Sequence, residues 1–238
     1  MNTRLAEHRA SPWRWRIGVA RPEDRAGVEA VRRSAYRQAR EFSWKDEALL
    51  QWGPADDAAT VLAAWDTDGQ VLSTVRATVL PTIAQAEGFL EYSLAGIDIA
   101  APALVLSRAA TTPAAARQGL NSLLRYAYLC GAAACEPIAS VMTIVYEGGP
   151  RLNAMREAGY DFSRPCANWD SEAVTHTRAL LASMPRQRLP HALAALSATL
   201  AGDLRSVWLD STAIARAFSA HCHACSPAPA RLHAGATP

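Results

Sequence analysis

An α/β architecture, a mixed β-sheet flanked by helices with a C-terminal helical extension, is predicted by three features of this 238-residue chain. Short apolar runs alternate with helical patterns in the order β-α-β-β-β-α-β-α-β over the first 170 residues. Asp66-Thr67-Asp68-Gly69 separates two strand-like runs and marks a hairpin. From Arg178 onward, RALLASM, LPHALAALSATLAGDL and STAIARAFSAHC follow one another as short amphipathic helices.

The elements follow in order. Residues 1–12 read as a disordered leader, 13–170 as the α/β domain, 171–225 as the helical extension and 226–238 as a low-complexity, disordered tail. Residues 15–20 form a short strand. Pro22, Glu23 and Asp24 then open a helix, because Pro and acidic residues suit a first turn. That helix runs to about Arg40, with Val28, Val31, Ala35 and Ala39 on one side. Residues 41–57 are irregular and aromatic. Strands at 60–65 and 70–79 flank the hairpin turn, and Pro81 ends the second. Residues 82–100 read as a loop or short elements. A buried strand at 103–110, a turn at Thr111-Thr112-Pro113 and a helix at 116–134 come next. A strand at 139–146, a helix at 151–158, a break at Gly159 and a strand near 167–169 complete the domain.

Composition excludes several classes of function. Twenty-four basic against 22 acidic side chains leave a net charge of +2, well short of a nucleic-acid-binding protein. Ten arginines crowd the first forty residues; they form a solvated basic arm or a landing surface for an acidic partner. No run approaches the ~18 apolar residues that span a bilayer, and the N-terminus lacks the apolar core of a secretory signal. Five cysteines without framework spacing fit a reducing cytoplasm, the expected location. His221, Cys222, His223 and Cys225 have no second Cys/His pair nearby, so no metal site is expected.

The segment 104–124, LVLSRAATTPAAARQGLNSLL, carries the chemistry. A buried strand, a turn, a glycine and an amphipathic helix follow one another. The arrangement aims backbone N–H groups from a helix N-terminus at an anion such as a pyrophosphate. Gly119 lets the backbone approach such a ligand.

This segment resembles motif A of the GNAT acyltransferases, in which a strand and a Pro precede Arg/Gln-x-x-Gly-x-Gly/Ala. Pro113 and Gly119 match; Ala116 and Asn121 depart from the family residues, leaving Arg117 or Gln118 to make the missing contact. Residues 139–162 are similar to the strand, helix and Gly-Phe ending that follow in that family, with Gly159-Tyr160 at the ending. Met155 stands where many members carry a Tyr acid. A second similarity is to acyl-homoserine lactone synthases and long-chain N-acyl amino acid synthases. It rests on Arg32 and Tyr36, Trp44, the Asp56-Asp57 pair, Arg76 with Leu80-Pro81-Thr82, and Leu106-Ser107-Arg108. Lactone synthases carry Glu three residues before the last Arg; Val105 here favours the amino acid synthase branch.

The resemblance implies an N-acyltransferase. Its donor is an acyl carrier protein or CoA thioester, and its acceptor is the amine of an amino acid or similar small molecule. It places the donor against Ala109, Ala110, Thr111, Arg117, Gln118, Gly119, Leu120 and Asn121. It places Arg32, Tyr36 and Trp44 at the substrate, with the aromatics, Phe42 and Trp52 included, in the region of a lid. Glu147 or Tyr146 binds or deprotonates the amine. Arg76 or Arg108 either clamps an acceptor carboxylate or pairs with Asp56, Asp57 or Asp98, since a strand arginine is costly to bury alone. An acetyl-CoA-dependent acetyltransferase and a non-catalytic acyl-binding protein of the same fold are the alternatives.

Overall fold

The computed structural model describes residues 13–38, 50–147, 152–163 and 179–224. Their strands are β1 (Trp15–Val19), β2 (Thr60–Trp65), β3 (Val71–Leu80), β4 (Ala103–Thr111), β5 (Ser140–Tyr146), β6 (Asp161–Ser163), β7 (Ala179–Pro185) and β8 (Val207–Leu209). They make one sheet in the order β6-β7-β5-β4-β3-β2-β1-β8. Pairing is antiparallel from β1 through β4, parallel between β4 and β5 and between β8 and β1, and antiparallel from β5 through β7 to β6. The helices are α1 (Arg25–Tyr36), α2 (Pro54–Asp57), α3 (Ile83–Leu90), α4 (Leu120–Ala134), α5 (Leu152–Glu157), α6 (Leu189–Thr199), α7 (Ala201–Leu204) and α8 (Ser211–Ala224).

Side-chain alternation along the strands sorts the helices into two layers. Val75, Ala77, Leu104, Leu106 and Val141 enter the main core, where α4, α6 and α8 pack. The opposite face is covered in two patches. Val28 and Val31 of α1 lie on Val61 and Ala63, while Ala86 and Leu90 of α3 lie on Val105, Met142 and Leu181. A polar gap separates these patches, and the candidate site occupies it.

Helix α4 is the spine of the main core, flanked by α6 and α8. Its approach to α8 depends on Gly131: a Cβ there would lie 2.5 Å from Ile214 and 2.8 Å from Phe218. Its C-terminal carbonyls are capped from the far end of the chain. Arg186 donates from Nη1 to Cys135, Ile138 and Ala132 at 2.8, 2.9 and 3.1 Å, and from Nη2 to Ala133 at 2.8 Å. A guanidinium at a helix C-terminus satisfies orphan acceptors and opposes the negative end of the dipole.

Three expectations are corrected and one, the loop or short elements at 82–100, is made specific. Residues 178–184, read as helical, contain β7, which runs between β5 and β6. A continuous apolar run buried on both faces has no alternation to distinguish strand from helix. The extension from residue 171 is therefore not wholly helical; it supplies two strands, β7 and β8, besides α6, α7 and α8. The helix expected from 116 begins at Leu120, because Arg117 and Gly119 adopt φ of 65° and 77°. Residues 82–100 contain α3, whose Thr82 side chain accepts from the Gln85 N–H at 3.2 Å, a regular N-cap. The first helix is a 3₁₀ turn at Pro22–Asp24 followed by α1, which ends at Tyr36. The leader, residues 39–49, the strand expected near 167–169 and the tail lie outside the described residues.

Arg186→Ala is expected to lower unfolding free energy by about 2–3 kcal/mol, the range for hydrogen bonds to a charged group, measured by urea denaturation. Lys at this position should restore only part of the loss, because one ammonium cannot span four carbonyls.

Candidate active site

The two central parallel strands come apart. β4 and β5 pair from Ala103↔Ser140 to Leu106↔Thr143, and no pairing between them continues beyond. Both strands nevertheless run on, β4 to Thr111 and β5 to Tyr146. A bulge marks the point of departure. Thr74 and Arg76 on β3 span two positions while Ala110 and Ser107 on β4 span three, and Arg108 in the bulge has φ 53°. A bulge bends its strand, and a non-glycine residue held at positive φ is a strain seen at functional sites. At the fork, the Thr143 hydroxyl donates to the Leu106 carbonyl at 3.1 Å.

Beside the fork lies a buried charge cluster on the α1/α3 face. Arg32 is fully enclosed, and Asp56 is only 2% exposed. The two meet in a fork-to-fork pair, Nη2 to Oδ1 at 2.6 Å and Nη1 to Oδ2 at 3.0 Å. Arg32 also donates to the Gln51 carbonyl at 3.2 Å. Gly53 donates its N–H to Asp56 at 3.2 Å. Burial works against the Asp56 carboxylate, but its bonds to Arg32 and the charges of Arg32 and Arg76 prevail and hold its pKa below the usual value. Arg76 on β3 comes next: Nη1 lies 4.0 Å from Asp56, Nε donates to the Ser107 hydroxyl at 3.0 Å, and the guanidinium stacks over Phe89, 5.7 Å from the ring centre. Burial and the neighbouring charge of Arg108 bring Arg76 down to about 10. Among the described residues, its buried Nη1 has no hydrogen-bond acceptor.

One carboxylate, Asp56, thus faces Arg32 and Arg76, and the charge of Arg108 bears on Arg76. A guanidinium fork matches a carboxylate in both geometry and charge.

The loop between β4 and α4 holds the predicted donor residues. Ala109, Ala110 and Thr111 lie on the diverging part of β4. Ala116 and Arg117 are exposed. Gln118 is already engaged, accepting from Arg14 at 3.0 Å and donating to the Ala114 carbonyl at 3.0 Å. Gly119 caps α4 at φ 77°; Leu120 turns into the core, and Asn121 is half-buried. A carboxylate from the C-terminal part closes over this turn: Asp203 Oδ2 lies 3.1 Å from where a Cβ on Gly119 would sit.

The structure brings Arg32 and Arg76 together on Asp56, with Arg108 and Tyr36 close enough to influence Arg76 electrostatically. Asp57 turns elsewhere, pairing with Arg25 and accepting from Trp52 Nε1 at 2.8 Å. Tyr146 is half-buried on the strand face shared with Ile144, and Glu147 is exposed just beyond β5. Met155 is buried in the main core. Trp44 and Phe42 lie outside the described residues. Sequence reading did not anticipate Phe89, because α3 went unrecognised; Thr82-x-x-Gln85 after Pro81 is the capping signal that marks it. Asp203 has no local signal, since its place depends on how the chain returns after α6.

No family model matches the sequence, and no curated protein matches it significantly. Solved structures do match in fold. An N-acetyltransferase from Staphylococcus aureus Mu50 superposes with TM-score 0.54 at 13% identity, over 72% of this chain and 98% of that one. FeeM, an N-acyl amino acid synthase from uncultured soil microbes, gives 0.53 at 14% identity, over 77% and 97%. YncA, a putative acetyltransferase from Salmonella typhimurium, solved with its cofactor acetyl-CoA, gives 0.51 at 14%, over 73% and 94%. The chain has the GNAT fold. Among the described residues, no helix is long and apolar enough to cross a membrane.

Asp56→Asn is expected to cost about 3–5 kcal/mol at neutral pH, because it leaves buried Arg32 without a counter-charge. The sign with pH follows from the depressed Asp56 value. The pair's contribution is complete above the ordinary aspartate value of 3.8 and is lost as pH falls through the lower folded value. Denaturation curves from pH 7 to 2.5 should show this acid loss in the parent and not in the variant. Gly119→Ala, strained at positive φ and pressed against Asp203, should lose about 1–2 kcal/mol in the same assay.

Proposed function

We propose that the chain is an N-acyltransferase, moving an acyl group from a pantetheine thioester to the amine of an amino acid or similar small carboxylate-bearing acceptor. The observation that carries this reading is the buried Arg76 Nη1, without an acceptor among the described residues, at the edge of a fork between parallel strands. The fork is a slot in which an extended amide chain finds backbone partners. The guanidinium beside it recognises the acceptor's carboxylate.

The reaction needs little machinery. The acceptor ammonium gives up a proton, and the neutral amine attacks the thioester carbonyl carbon. A C–N bond forms, the C–S bond breaks, and the second amine proton leaves to the departing thiolate. Backbone N–H groups along Ala109–Thr111 stabilise the developing oxyanion. Tyr146 or Glu147, at the end of β5, takes the amine proton directly or through water. Arg76 orients the acceptor, Ser107 holds Arg76 through Nε, and Arg32 acts through Asp56 and does not touch the substrate. Arg108, in the strained bulge, adds positive charge. Tyr36 borders the acceptor.

The donor is a long-chain acyl group on an acyl carrier protein in the favoured reading. The order of Arg32, Tyr36, Asp56, Arg76 and Arg108 along the chain supports it, as does the fold shared with FeeM. An acetyl-CoA-dependent acetyltransferase is the second reading, favoured by the fold shared with YncA, which was solved with acetyl-CoA. Burial of Met155, at the position of the expected acid, weighs against it. A cytoplasmic location agrees with either.

Lipid extracts of a host expressing the chain should contain a new long-chain N-acyl amino acid, read by mass spectrometry, and an Arg76→Ala, Arg108→Ala double variant should lack it. With the purified enzyme, Arg76→Ala alone is expected to lower kcat/KM by about 100-fold, the worth of one charge-assisted carboxylate contact. Acetylation of small amines from acetyl-CoA, without any new lipid, would establish the second reading instead.

A further inference from the structure

The connection between α6 and β8 crosses over the first turn of α4. Helices α6 and α8 both pack on α4, and the chain between them runs past one end of it. It passes the N-terminal end, where Asp203 Oδ2 is 3.1 Å from the Cβ position of Gly119. The strap is tied at both ends. Leu200 is buried in the main core and donates its N–H to Leu196 at 2.9 Å. Ser206 offers its carbonyl to the N–H groups of Arg14 and Trp15 at 2.7 and 3.3 Å and donates both N–H and hydroxyl to the Asp203 carbonyl at 2.9 Å. The Asp203 backbone is thus held in position, with its carboxylate turned toward Gly119.

This turn is where the positive end of the helix dipole and the unpaired N–H groups would meet an anionic donor. The chain already supplies an anion there. Of the side chains nearby that could offset a ligand's charge, Arg14 donates to Gln118 and stacks over Trp15 with its guanidinium 4.1 Å from the ring, Gln118 is bonded at both ends, and Arg117 is exposed to solvent, where its charge is screened. A diphosphate entering this place meets a carboxylate, and like charges at such a distance cost several-fold to many-fold in affinity. The acyl and pantetheine parts of a donor carry no charge and lie in the fork, away from the strap.

We propose that Asp203, fixed over Gly119 by the α6–β8 strap, is a specificity residue that selects against donors carrying a diphosphate and leaves recognition of the uncharged acyl-pantetheine arm intact. This rests on the acyltransferase reading of the fork and adds to it a charge filter contributed by the C-terminal part of the chain.

Calorimetric titration of the full-length protein with octanoyl-coenzyme A and with octanoyl-pantetheine tests it. Asp203→Asn should tighten octanoyl-coenzyme A binding by about tenfold, or about 1.4 kcal/mol, and leave octanoyl-pantetheine unchanged. Asp203→Glu, which keeps the charge, should behave like the parent and controls for altered packing. Equal changes for both ligands, or no change for either, overturn the charge filter alone. Failure of both ligands to bind any of the three proteins overturns the filter together with the acyltransferase reading.

Discussion

The buried pair of Arg32 and Asp56 is the interaction on which the site depends. Arg32 belongs to α1 and Asp56 to the single turn α2, and Arg76 leans on the same carboxylate from β3. Three separate stretches of chain are thereby joined at one point. Burying an ion pair is an expensive way to join them, because desolvation cancels much of the attraction. Apolar residues of similar size would pack the gap between the α1 and α3 patches at lower cost. The pair makes sense as a means of specifying position: it fixes where Arg76 lies and keeps a guanidinium charged in an apolar setting.

The fork and the charge cluster are two results of one distortion. The bulge at Arg108 bends β4 away from β5 and also brings the Arg108 charge near Arg76. Strain at that residue is compensated by the long ladder β4 keeps with β3 on its other edge. The parallel fork leaves the facing edges of β4 and β5 unpaired beyond Leu106 and Thr143, while each strand keeps its outer neighbour, β3 for β4 and β7 for β5.

The fold was legible in the sequence wherever periodicity was strong or turn chemistry was specific. The hairpin at Asp66–Gly69, the apolar side of α4 and the strands around Arg76 and Arg108 follow from local pattern. The arginines were legible as site candidates because a charge within an apolar strand needs a partner; Asp56 was named as one such partner, but that it would be consumed first by Arg32 was not evident. The failures have two causes. α3 carried a local capping signal that went unread, whereas β7 and Asp203 owe their state or their neighbours to segments far away in the chain. ALLASMP is apolar in every pattern, so only its place between β5 and β6 makes it a strand. Asp203 reads as an ordinary surface acid until the strap lays it over Gly119.

The position of β7 also bears on how the protein is made. During synthesis, β5 emerges about forty residues before its neighbour on that side, and among the described residues β6 pairs only with β7. For that interval the growing chain presents an apolar, unpaired strand edge, the kind of surface that recruits chaperones or other nascent chains. A fragment ending near residue 170 would carry that open edge permanently. The outer flank of the fork is therefore completed by residues far from it in sequence, and only when most of the protein has left the ribosome.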